Sequence, residues 1–315
     1  MNLMKSIITI LILMLAISSC DMVDLDQKTV LITDYGFDLN ELDYSRLFKN
    51  RDRLYNSHQN APADSEGVQL FLYEGQYYYH PVHLCYRSLE ALNDYSKTND
   101  NIYLRHAEKS MAALLRNADR YQDMIYFPYM FDFKVSEDLV YLAPWYSGMA
   151  QGLALAAYSR LYYFTGNEEY TAVADSILRT MTDYDSPYSC VKICTNHNLL
   201  GYGTYYWVDE YPDGPDRFVL NGSIIGAMGL YDHWWVYGDE KSRNLFSAEL
   251  STVKDHVLKY RNVGAISAYC LLFRNQLENY HLVHVNLLNK CTEITEDSYF
   301  TQIANLFLED YPVKR

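Results

Sequence analysis

The sequence predicts a mainly α fold: an incomplete α/α toroid of helical hairpins with a small β-hairpin element. Three observations predict it. From residue 81 onward, apolar residues recur at helical spacing in segment after segment. These segments come in pairs joined by short turns, and each pair spans roughly 40–50 residues, the size of a helical-hairpin repeat. Polar and aromatic residues gather in the connections, as in a cleft built from loops on one rim. Roughly eight or nine helices make an incomplete ring. An open α-solenoid for protein partners is the alternative, and the clustering of aromatic residues in the connections favours the toroid.

The elements follow in chain order. Residues 21–66 are polar and mixed, and read as a tether, one helix near 40–55, and a loop. Over 81–97, Val82, Cys85, Leu89 and Leu92 form one stripe. Ala107, Met111, Leu114, Leu115 and Ala118 repeat it over 103–121. In 124–135, Ile125, Phe127, Tyr129, Phe131 and Phe133 alternate with other residues, the period-two sign of a hairpin. Helices return at 146–165 and 167–182, punctuated by Gly166-Asn167, and at 218–236 and 239–260, punctuated by Gly238-Asp239. The last pair is 281–292 and 297–309. No sequence identity relates the pairs, so the repeat is architectural.

Composition narrows the function. The 315 residues are 49% apolar and 21% charged, enough for a large core. Lys plus Arg number 26 against 40 Asp plus Glu, a net charge of −14. That balance argues against a nucleic-acid partner, whose phosphates need basic groups. The 32 tyrosines point instead to a polar ligand that needs stacking as well as hydrogen bonds.

The start of the chain reads as an address. Lys5 precedes an apolar run from Ser6 to Ile17, too short to span a bilayer well and ending in Ser18-Ser19-Cys20. The small residues before Cys20 resemble the lipobox of bacterial lipoproteins. That resemblance implies a signal peptide at 1–19, lipidation at Cys20, and an exported protein anchored to the cell envelope. A plain secretory signal is the alternative. The division expected is 1–19 signal, 20–66 tether and N-terminal segment, and 67–315 functional domain. Cys190, Cys194 and His197 lack a fourth ligand and a standard zinc spacing, so a local disulfide or simple burial is expected there.

Four clusters hold side chains able to do chemistry. The densest runs from Gly201 to Arg217 and includes Trp207, Asp209, Glu210, Tyr211 and Asp216. Pro212 disfavours helix at Tyr211 and so sets Glu210 and Tyr211 on an extended rim. The chain then enters an apolar helix through Phe218-Val-Leu-Asn221-Gly222. In the second cluster, Tyr280, His281 and His284 lie near a helix start, with the two His on one face. Hydrogen bonding to a sugar suits that pair better than a metal does, since further ligands are not evident. A structural role is open for each. The third cluster holds Trp145 and Gln151 among small residues. The fourth carries Tyr77 and Tyr79 ahead of Pro81. In both, close packing competes with a sugar-binding role. No phosphate loop, dinucleotide fingerprint, nucleophile elbow or His-Glu-x-x-His occurs.

Taken together, Trp145–Gly152, Trp207–Pro212, Phe218–Gly222 with Gly229–Asp232, and Tyr280–Asn286 resemble the C-terminal catalytic domain of the D-glucuronyl C5-epimerases, which act on heparosan and heparan sulfate precursors. The resemblance covers about residues 68–312. The β-sandwich of the eukaryotic enzymes has no room here, and Tyr269-Cys-Leu-Leu-Phe-Arg274 is the nearest equivalent of that family's Tyr and following Arg-containing run. The resemblance implies epimerisation of D-glucuronate to L-iduronate in a polysaccharide. Tyr211, Tyr269 and Tyr280 would be the acid/base groups, assisted by Glu210. For such a reaction Asn221, Arg217, Gln151, His281 and His284 are expected to hold the carboxylate and neighbouring hydroxyls, and Tyr77, Tyr79, Trp145, Trp207 and Arg274 to contact the polymer. No cofactor or metal is expected. The expected partner is a uronic-acid polysaccharide, with membrane contact only through the lipid and a homodimer as the assembly to test. The same proton abstraction followed by loss of the C4 substituent is β-elimination, so a uronate lyase is the nearest alternative. A non-catalytic surface glycan-binding lipoprotein is the other.

Overall fold

Four helical hairpins with nearly the same turn build the molecule, as a computed structural model describes it over residues 20–25, 28–56 and 62–312. The pairs are α1 (Pro81–Thr98) with α2 (Asn101–Arg116), α3 (Gly148–Thr165) with α4 (Glu168–Thr180), α5 (Leu220–Tyr237) with α6 (Glu240–His256), and α7 (Glu278–Thr295) with α8 (Ser298–Asp310). Each odd-numbered helix has 18 residues. Each ends in a left-handed residue: Asn99, Gly166, Gly238 or Glu296. The next residue, Asp100, Asn167, Asp239 or Asp297, caps the following helix with its side-chain oxygen. This two-residue signal makes every hairpin tight.

The odd helices form the inner wall in the order α1, α3, α5, α7, and each even helix packs outside its partner, giving the incomplete α/α toroid expected. α3 and α5 are the closest neighbours. Gly152 sits against Gly226, and Gly229 against Gly152, so closely that a Cβ on any of them would collide with backbone. Both helices are almost wholly apolar around their circumference, as expected of the buried centre of an arc.

Small two-stranded ribbons decorate this arc: β1 (Cys20–Leu25) with β2 (Lys28–Thr33), β3 (Phe71–Tyr73) with β4 (Gln76–Tyr78), β5 (Asp119–Tyr121) with β6 (Met124–Tyr126), β7 (Phe133–Lys134) with β8 (Val140–Tyr141), and β9 (Val191–His197) with β10 (Gly201–Val208). The alternating segment near 124–135 thus contributes to two ribbons. Residues 119–121, expected as the end of a helix, pair with 124–126. The β9–β10 ribbon is one that helical periodicity does not anticipate.

Residues 34–56 also depart from expectation. In place of a tether and helix there is an irregular belt with one 3-10 turn at Tyr44–Arg46. Phe37, Leu42 and Leu47 enter the main core. The belt crosses the C-terminal halves of all four inner helices. Asp94 of α1 accepts from the backbone N–H of Tyr55 and Asn56, Tyr231 of α5 donates to the Asn40 carbonyl, and Ile294 of α7 accepts from the Asn40 N–H. Arg160 of α3 donates to the Phe48 carbonyl and pairs with Asp232 of α5 at 2.7 Å, fully buried. The belt therefore closes the lower end of the arc. The signal-peptide reading of 1–19 lies outside the described residues, and Cys20 is described in backbone alone.

Candidate active site

The inner helices start differently from the outer ones. Each outer helix has an Asx cap, whereas the caps of α3, α5 and α7 are Ser147, Val219 and Leu277, none of which makes a side-chain cap bond. All four inner N-terminal ends open on one cleft of about 320 Å³. Val82 and Tyr86 of α1, Met149 of α3, Asn221 and Ile225 of α5, and Tyr280 and Val283 of α7 line it. Loops and ribbons add Glu210 and Tyr211 and an aromatic wall of Tyr73, Tyr129, Phe131, Phe133 and Trp145. Trp145 stacks on Tyr129 with ring centres 3.8 Å apart, and its indole N–H donates to the Phe131 carbonyl. Aromatic faces suit the apolar faces of a sugar ring. Converging helix N-termini give the cleft a positive partial charge that suits an anion.

Two glycines seat the acidic end of β10 in this cleft. The N–H of Gly148 donates to the Asp209 carbonyl at 2.7 Å, and a Cβ there would lie 2.6 Å from that oxygen. A Cβ on Gly222 would collide with the carboxyl of Glu210. Lys192 holds the Asp209 carboxylate at 2.7 Å, and Asp209 in turn accepts from the Tyr211 N–H. Glu210 is thereby fixed over the first turn of α5.

Around Glu210 gathers a nest of phenols. Tyr269 donates to its Oε2 at 3.3 Å, and the Tyr269 and Tyr280 rings meet edge to face at 4.7 Å. Tyr211 stacks on Tyr141 and Trp145, with the Arg217 guanidinium 4.6 Å from its ring centre. Burial pushes the Glu210 carboxyl up to about 7, against the pull of Tyr211, Arg217 and Tyr269. Burial, reinforced by the Glu210 charge, holds the phenols of Tyr211, Tyr269 and Tyr280 above their usual range. Near neutral pH the phenols are proton donors, and Glu210 is the group poised to change charge.

Among the residues singled out from sequence, the structure brings Glu210, Tyr211, Tyr280, Asn221 and Trp145 to the cleft wall. Tyr269 and Arg217 stand behind, touching Glu210 and Tyr211. Asn221 Oδ1 is buried with no hydrogen-bond partner among the described residues, and the Arg217 guanidinium faces the Tyr141 hydroxyl and the Tyr211 ring.

Other candidates lie elsewhere. Gln151 is fully buried and occupied: it accepts from the Phe127 N–H and donates to the Ile125 carbonyl and Thr180 Oγ1. His281 Nδ1 meets Ser267, and its Nε2 meets the Phe307 and Tyr311 carbonyls. His284 shares Ser267, and burial lowers its pKa to about 3, which keeps it neutral. Trp207 packs edge-on against Phe218 in the core. Tyr79 donates to Asp64, Tyr77 points outward from β4, and Arg274 ties down the Lys259 and Arg261 carbonyls. Cys190 and Cys194 are buried free thiols, and His197 pairs with Asp216.

Tyr86 and Tyr129 are cleft residues that sequence reading missed. Both phenols feel the Glu210 charge, which adds to the effect of burial in raising them. Each sits in a run whose period reads as core, so the available signal was only the density of tyrosines.

An open α/α toroid with an acid/base cluster at the N-terminal ends of its inner helices is the class that this fold and site define. Residues 121–309 match the model of the D-glucuronyl C5-epimerase C-terminus. The chain belongs to that family. A D-glucuronyl C5-epimerase of Caenorhabditis elegans is 27% identical over 197 residues, which cover 55% of this chain and 30% of the relative. The chain thus spans under a third of that relative's length. Solved structures with a similar course include a GH76 α-mannanase of Bacteroides thetaiotaomicron, at 14% identity and a TM-score of 0.47 over 72% of this chain and 56% of that one. A family 76 glycoside hydrolase from a bovine strain of that species matches at 13% and 0.46, covering 68% of this chain and 44% of that one.

Proposed function

We propose that the cleft epimerises C5 of D-glucuronate residues within a polysaccharide. The observation that carries this reading is the contact of Glu210 with Tyr269, in a cleft that also presents Tyr211 and Tyr280. Inverting C5 requires removal of the proton alpha to the carboxylate and return of one to the opposite face. The negative charge spreads into the carboxylate as an enediolate. Helix N-termini and Asn221 supply dipoles for that charge. Arg217, behind Tyr211, supports the phenol that faces it. Glu210 has the proton affinity of an acceptor. A phenol accepts only as it passes its own proton to that carboxylate. A second phenol, kept protonated at neutral pH by its raised pKa, gives its proton to the opposite face of the enediolate, and the proton now on Glu210 returns to the phenolate so formed. Family membership supports glucuronate as the sugar.

The lipobox-like Ser18-Ser19-Cys20 supports a location on the cell envelope, where polymers are met outside the cytoplasm. Incubation with heparosan, followed by NMR of the disaccharides, tests the reaction. L-iduronate signals are the expected outcome. Unsaturated uronate absorbance in their place identifies β-elimination, and binding with neither product identifies a glycan-binding protein.

A further inference from the structure

The open side of the toroid lies between its first and last inner helices, and a second groove lies there beside the cleft. On α7, Tyr280 and Val283 line the cleft, whereas Asn286, Leu287 and Lys290 line a cavity of about 410 Å³ floored by belt residues 45–52. Steps of three and four residues put these positions on one helical stripe, about 15 Å long from 280 to 290. That length exceeds a single sugar ring. The joint between the two spaces is Lys49. Its ammonium lies 3.7 Å from the centre of the Tyr86 ring, itself part of the cleft wall, and 3.9 Å from Glu90.

The charge of this groove is opposite to that of the chain. Arg46, Lys49, Arg51, Arg87 and Lys290 converge here on a protein of net charge −14. The acids beside them are Asp52, Glu90, Asp94 and Glu293, four against five cations. Glu90 is shared by Arg87 and Lys49, and Glu293 by Lys290 and Arg46, so cations remain in excess. Arg51 Nε and Arg87 Nε are buried with no hydrogen-bond partner among the described residues. Folding has thus brought one of the chain's most basic segments, residues 46–53, onto the seam where the ring fails to close.

We infer that this seam is a second binding site, in which neighbouring units of an anionic polysaccharide run down α7 from the cleft to the basic groove. The site rests on the reading of the cleft as a glucuronate site, and extends it from one sugar to a stretch of polymer. Carboxylates along such a chain would meet Lys49 first, then Arg51 and Lys290. Cooperation of this kind makes affinity rise with chain length and fall with salt.

Equilibrium binding of heparosan tetramer and decamer, by calorimetry at two ionic strengths, tests it without requiring turnover. The unaltered chain should bind the decamer about tenfold more tightly than the tetramer at low salt. The Arg46→Gln/Lys290→Gln variant should lose most of that ratio and show a shallower salt dependence. Because Lys290 also donates to the Arg46 carbonyl, thermal unfolding is measured alongside, and Arg51→Lys, which keeps charge but not the fork, gives an intermediate ratio. A variant ratio equal to that of the unaltered chain overturns the groove, as does an unaltered chain with no length preference. A chain that binds by length but forms no iduronate keeps the groove and loses the epimerase reading.

Discussion

Glu210 is the residue whose environment makes the strongest statement about chemistry. Burial over Gly222 raises its carboxyl to about 7, while three phenols beside it are raised beyond reach of neutral pH. If the ionised carboxyl accepts the proton, kcat/KM on a glucuronate polymer falls as pH drops through about 7. Glu210→Gln abolishes turnover while leaving polymer binding, read as a Kd, within a few fold. A flat profile from pH 5.5 to 8.5 contradicts the assignment. At this scale the sequence was partly legible. Pro212 and the acid-rich loop pointed to Glu210 and Tyr211, and Val-Leu-Asn-Gly pointed to Asn221. Gln151, His281 and His284 had the right polarity and the right neighbourhood. Their hydrogen bonds, however, go to carbonyls and hydroxyls of the scaffold, and a sequence does not show where a polar atom finds its partner.

The elements are simpler to read than the site. The eight α-helices of the described residues follow from apolar stripes, or in α3 and α5 from long apolar runs, bounded by short turns, because these are local properties. The β9–β10 ribbon did not, since the last four residues of β10 are all buried and break the alternation that marks a half-exposed strand. Residues 40–55 of the belt were expected as a helix, but Phe37, Leu42 and Leu47 are single anchors five residues apart, a spacing of neither helix nor strand, so the segment lies irregular across the core. The repeated turn carries its own prediction. Glu296 occupies the left-handed position that Gly166 and Gly238 fill in two other hairpins, with φ of 56°. Glu296→Gly should stabilise the protein by about 1 kcal/mol, seen as a higher urea midpoint with an unchanged slope. A lower midpoint shows that the Glu side chain makes a contact worth more than the backbone cost.

For the whole molecule, the arc is closed below by the belt and left open above, where the helix ends face substrate. Arg160 pins this arrangement by joining α3, α5 and the belt. Arg160→Met strands Asp232, already raised to about 6 by burial even with its partner present. The cost should be on the order of 3 kcal/mol in denaturant unfolding, whereas Arg179→Met, at an exposed pair with Asp123, should cost under about 1 kcal/mol. Equal losses in the two variants remove the belt from its structural role. The central claim, that this frame brings a carboxyl and phenols around one acidic sugar, has its most direct test in solvent exchange. Heparosan incubated with the protein in deuterated water should gain deuterium at C5 of its uronates, and Tyr280→Phe and Tyr211→Phe should each slow that gain at least about a hundredfold. Uronates that keep their C5 hydrogen in the presence of the unaltered, polymer-binding protein contradict the account.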